Sequence, residues 1–136
     1  LALTALAVLA RTREKRAPAV GGAFLAAARG DTARAVAAFT DAARALPDAA
    51  SLLLVSAARM VGARGDSATA VTLWARIATA HAGTPEAPEA ELEWARLLAR
   101  RGDRAGARTR LEHLIVTYPE SALVPIARRE LEGLGV

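Results

Sequence analysis

Cysteine is absent from this 136-residue chain, and so are asparagine and glutamine. Without cysteine there are no disulfides and no thiolate metal sites, and the redox compartment is left open. Aromatic side chains are scarce, two Phe, two Trp and one Tyr. That is too few for a nucleic-acid surface built on stacking platforms, so no nucleic-acid partner is expected despite the formal charge of +4. Histidine occurs twice, as His81 and His113. Neither has a second His, Cys or carboxylate at helical metal spacing beside it, so a metal site is not expected and both read as solvated helix residues. No glycine-rich phosphate loop, nucleophile elbow or HExxH string is present, which removes the usual signatures of a cofactor site or catalytic centre.

Lys15 is the only lysine; the other basic residues are arginine, and alanine fills about a quarter of the chain. This usage looks like that of a GC-rich bacterial genome, so each arginine is not to be read as chosen for its guanidinium. Leu1–Ala10 is apolar on every side and is followed at once by Arg11–Arg16, RTREKR. Ten residues cannot span a bilayer, which takes about 20. Two readings stay open: a helix packing on the end of the domain, or the tail of a signal or transmembrane segment, with membrane association through it.

Against this background Arg-Gly-Asp recurs three times inside one longer pattern: Arg29-Gly30-Asp31-x-Ala33-x-Ala35, Arg64-Gly65-Asp66-x-Ala68-x-Ala70 and Arg101-Gly102-Asp103-x-Ala105-x-Ala107. The glycines lie 35 and 37 positions apart, a period that signals a helical solenoid. Each copy fits a turn between two antiparallel helices. Gly30, Gly65 and Gly102 would end the first helix in the left-handed region. Asp31, Asp66 and Asp103 would cap the second by accepting an orphan N–H. Arg-Gly-Asp is also a cell-adhesion tripeptide, but that role needs an exposed extended loop rather than a helix end and a cap.

With the glycine at position 15, three units of 34 residues cover 16–49, 51–84 and 88–121. Position 20 is Ala35, Ala70 and Ala107, where a close helix crossing tolerates no volume. Position 24 is Phe39, Trp74 and Leu111; position 8 is Ala23, Ala58 and Ala95; Pro47 and Pro119 close the first and third units. These residues resemble the tetratricopeptide repeat (TPR) family, with a small residue at position 8, glycine near 15, alanine at 20, an aromatic at 24 and proline at 32. The large residue of position 4 is present as Leu54, but Ala19 and Glu91 depart from it. Gly21 and Gly22 weaken the first helix. Thr84 and Ser121 suit helix N-caps, each with a proline four positions on, so residues 122–136 read as a C-terminal capping helix. Tyr118-Pro119-Glu120-Ser121, with Ala127 and Leu131, resembles a junction in TPR proteins of bacterial envelopes. The favoured location is therefore the cell envelope, periplasmic or membrane-associated.

The resemblance implies an all-α, right-handed superhelical solenoid of antiparallel helix pairs with a flanking helix at each end. It also implies a non-catalytic protein–protein interaction scaffold or assembly subunit without cofactor. In this family the first helices of the units line a concave groove. Carrying its positions over puts Phe24 in the groove from the first unit, Leu52, Val55 and Arg59 from the second, and Leu92, Arg96 and Arg100 from the third. Apolar at one end and basic at the other, such a groove suits a peptide or helix with an acidic portion. The Lys-and-Asn carboxylate clamp of chaperone-binding members is missing. Glu86, Glu89, Glu91 and Glu93 read as a solvated acidic first turn, favoured by the helix dipole. The alternative function is a membrane-tethered accessory module anchored through Leu1–Ala10.

Overall fold

A computed structural model describes residues 17–135. The Leu1–Ala10 segment and the basic run after it lie outside those residues. Among the described residues there are seven α-helices and no strand: α1 (Ala17–Ala28), α2 (Thr32–Ala45), α3 (Ala50–Ala63), α4 (Ser67–Ala80), α5 (Ala87–Arg100), α6 (Arg104–Thr117) and α7 (Val124–Gly133). A 3₁₀ turn, Pro47–Ala49, leads into α3. The fold is all-α, with helices packed in adjacent pairs as in a TPR solenoid. The chain falls into two compact units, one ending at Leu73 and one starting at Trp74.

One local device makes all three tight turns. Gly30, Gly65 and Gly102 take φ of 75°, 81° and 87°. The next amide, of Asp31, Asp66 and Asp103, donates back to the carbonyls of Ala26, Val61 and Leu98 at 3.1, 3.0 and 2.9 Å. This is the glycine-terminated helix end that satisfies otherwise orphan carbonyls. Each aspartate then accepts from the amide three residues ahead: Arg34 at 3.2 Å, Thr69 at 3.1 Å and Gly106 at 2.8 Å.

In the first unit α1 packs on α2, and α2 on α3. Phe24 of α1 meets Phe39 of α2 edge to face, centroids 4.9 Å apart, a favoured aromatic geometry. This contact holds α1 in place although Gly21 and Gly22 stand exposed within it. Ala23, Ala35, Phe39, Leu53, Leu54 and Ala58 are fully buried. The Arg64 guanidinium donates from Nη2 to the Gly30 carbonyl at 2.8 Å, tying the second turn to the first.

In the second unit α5 packs on α6, and α6 on α7. Leu92, Ala95, Ala107, Leu111, Leu114, Val124 and Ala127 form its core. The Tyr118 hydroxyl donates to the Ala82 carbonyl at 2.8 Å, joining the loops before α5 and before α7. Thr84 and Ser121 are not the caps of these helices: α5 starts at Ala87 and α7 at Val124, without a side-chain cap. Both residues shape the preceding turn instead. Ala87 N donates to Thr84 O at 3.2 Å and Val124 N to Ser121 O at 3.1 Å. Pro88 and Pro125 then occupy first-turn positions that need no N–H.

Candidate functional site: the cleft between α5 and α7

The cleft is built on α5 and α7, the first helices of successive pairs. It has a volume of about 510 Å³ and a floor of Ala95, Ala99, Ala107, Leu111 and Leu134. Arg96, Arg100, Arg129 and Glu130 stand on its walls. The floor is apolar because the small and large residues of the repeat face each other there, Ala107 lying beneath α5 with Leu111 one turn further along α6.

Arg96 is fully engaged. Its Nε and Nη2 reach Glu130 Oε1 at 2.7 and 2.6 Å, and its Nη1 reaches Glu93 Oε1 at 2.9 Å. Hydrogen bonding to Glu130 is the main reason its pKa lies above the ordinary arginine value. Arg96 and Glu130 are 34 residues apart, one repeat length, so this fork joins equivalent positions of two first helices. By contrast, Arg100 and Arg129 are exposed, and among the described residues neither has an ion-pair partner. Their charges face the cleft unneutralised.

The other groove residues named from sequence are placed as follows. Leu92 is only 3% exposed and belongs to the core of the second unit. Val55, at 2%, is equally buried in the first. Neither presents surface to a partner, because both point inward between packed helices; the expectation that Val55 and Leu92 line the groove is corrected on this ground. Leu52 is half-buried, Arg59 is exposed, and Phe24 is half-buried against Phe39. In the second unit Arg96 and Arg100 share the cleft. Arg129, Glu130 and Leu134 also line the cleft, although residues 122–136 carry only the signature of a capping helix in the sequence. The signal for Glu130 is its place one repeat of 34 residues after Arg96.

The acidic first turn is also corrected. Glu91 is 0% exposed and Glu86 is buried, rather than solvated. α5 turns Glu91 onto α6, where Oε1 lies 2.6 Å from His113 Nδ1 and Oε2 lies 3.5 Å from Arg110 Nη1. Arg110 in turn stacks over the Trp94 ring at 4.5 Å, a cation–π contact that holds the guanidinium in place. Burial raises the Glu91 pKa, outweighing the opposing attraction of Arg110 and His113. His113 is therefore part of a buried polar cluster, with 43% of its side chain left exposed. The signal in the sequence was the acid at repeat position 4, where the family carries a large residue. Among the described residues no group of three or more His, Cys, Asp or Glu is placed to hold a metal ion.

Residues 89–121, from the first turn of α5 to the turn after α6, match the tetratricopeptide repeat family model. No curated protein matches the chain. Proteins of this family generally bind other proteins and are typically non-catalytic. With this match on α5 and α6, and the same glycine-turned, aspartate-capped helix joint at all three positions, the chain carries a tetratricopeptide repeat over residues 89–121.

Proposed function

We propose that the chain is a non-catalytic scaffold or assembly subunit that binds an acidic peptide or helix of another protein in the α5–α7 cleft. The observation that carries this is the pairing pattern: Arg96 is neutralised within the chain, while Arg100 and Arg129 flank an apolar floor without ion-pair partners. A ligand carboxylate would meet these two guanidiniums, and its apolar side chains would cover Ala99 and Leu134. Exposed charges of this kind set association rate and salt sensitivity more than the final packing. Bacterial origin and a cell-envelope location belong to the same proposal, supported by residue usage and by the Tyr118–Ser121 string. Among the described residues no helix is long and apolar enough to cross a membrane.

The test is a pull-down from the native organism, followed by calorimetry of the partner with wild type and with Arg100→Glu/Arg129→Glu at two salt concentrations. Binding by wild type should weaken as salt rises, and the double variant should lose most of its affinity while keeping its helical spectrum. Equal, salt-independent binding by both proteins would remove the cleft reading. Arg96→Glu is the wrong probe, because it would place a third carboxylate between Glu93 and Glu130 and prise α7 from α5.

A further inference from the structure

Glu91 takes no part in the proposed binding, yet it is the most deeply buried ionisable group among the described residues. It crosses from α5 to α6 at a position where an apolar side chain would cost nothing in desolvation. The groups facing it are few. From α6 come His113, 2.6 Å from Oε1, and Arg110, 3.5 Å from Oε2. From the turn after α6 comes Tyr118, whose phenol stays protonated to higher pH through burial and through the charge of Glu91. From α5 itself comes Trp94, which positions Arg110. On α7, Glu130 is engaged with Arg96. Oε1 has no well-aligned hydrogen bond beyond the close approach of the imidazole.

We propose that Glu91 and His113 form a proton-holding clamp between α5 and α6, tightening the third helix pair in mildly acidic medium and loosening it as the pH rises. A carboxyl oxygen and an imidazole nitrogen at 2.6 Å have one proton between them, supplied by the carboxyl or by the Nδ1–H of the ring, so what changes with pH is the second proton and with it the charge of the pair. When the carboxyl and imidazole together carry two exchangeable protons the pair is neutral, as acid and imidazole or as carboxylate and imidazolium. Loss of one leaves a net negative charge in a desolvated position. A buried charge is costly unless fully paired, and the one remaining cation facing it among the described residues, Arg110, is at the outer limit of hydrogen-bond distance and shared with Trp94. The sign follows from the raised carboxyl: the folded state holds the proton more tightly than the unfolded chain. Stability is therefore fully present below the ordinary glutamate value of 4.5 and is lost as the pH rises through the higher folded value.

The experiment follows thermal unfolding by circular dichroism from pH 4.5 to 8.5, with amide exchange resolving α5 and α6. Wild type should show a midpoint that falls with rising pH, and exchange in α5 and α6 should speed up over the same range. Glu91→Gln should flatten the fall. If that variant does not fold, Glu91→Leu replaces the acid by an apolar side chain of similar length and should fold with a flat profile. His113→Gln should move the fall to higher pH, because removing the imidazole removes one of the attractions that favour the ionised carboxyl. His81→Gln should leave the wild-type profile unchanged. A flat wild-type profile, an undiminished fall in both Glu91 variants, or a fall that His113→Gln leaves in place would each overturn the proposal.

Discussion

Gly102 turns α5 into α6 at φ 87°, with nothing within 4 Å of where a Cβ would stand. Space is therefore not the constraint; backbone conformation is. Gly102→Ala should destabilise by about 1–2 kcal/mol through the left-handed penalty alone, seen as a lower urea midpoint with an unchanged slope. A neutral effect would mean that the turn can rearrange. Residues of this kind were legible because their reason is local: the glycine and the aspartate act on amides and carbonyls within five positions. Glu91 was not legible in the same way. An acid in a first turn is ordinarily solvated, and what buries this one is His113 and Arg110, on the next helix and 19 or more positions away.

Helix α6 shows how one element divides its labour by face. Ala107 is buried under α5, whereas Ala105, two residues earlier, is exposed. Ala107→Leu should cost about 1–3 kcal/mol by overpacking, while Ala105→Leu should stay within about 0.5 kcal/mol of wild type. Equal effects in chemical denaturation would contradict the helix register. The repeat period located these faces in the sequence, since position 20 recurs with nothing larger than alanine. Element ends were harder to read. Thr84 and Ser121 have the chemistry of caps but turn the chain three residues before α5 and α7, because Pro88 and Pro125 already occupy first-turn positions. The cleft was half legible for a related reason. Its α5 wall came from family positions, but the partner of Arg96 stood on a helix not counted as part of the groove.

At the scale of the molecule, the Asp66 cap sets a limit on acid stability. The Thr69 hydroxyl, and secondarily its amide, hold the Asp66 carboxyl below its ordinary 3.8. A lowered folded value contributes stability that is complete above the unfolded value and is lost as the pH falls through the folded one. Thermal midpoints should thus drop on acidification below about pH 4, and Asp66→Asn, which caps without ionising, should make that drop shallower. An unchanged acid limb would separate the cap from acid unfolding. Two of the three joints that share this cap also share their dimensions. α3 with α4 and α5 with α6 are each fourteen residues, a three-residue turn and fourteen residues again. The longer second glycine interval is taken up entirely between pairs, where 81–86 replaces the shorter link 46–49. Inside a pair the chain keeps strict count, since one added residue would swing every later side chain by about 100°. Between pairs the count varies, four residues in one link and six in the other. Gly83 is exposed in that tolerant link, with no neighbour within 4 Å of an added Cβ. It is the place where a foreign sequence, an epitope or a fluorophore-bearing loop, can be spliced in while both helix pairs keep their own metre.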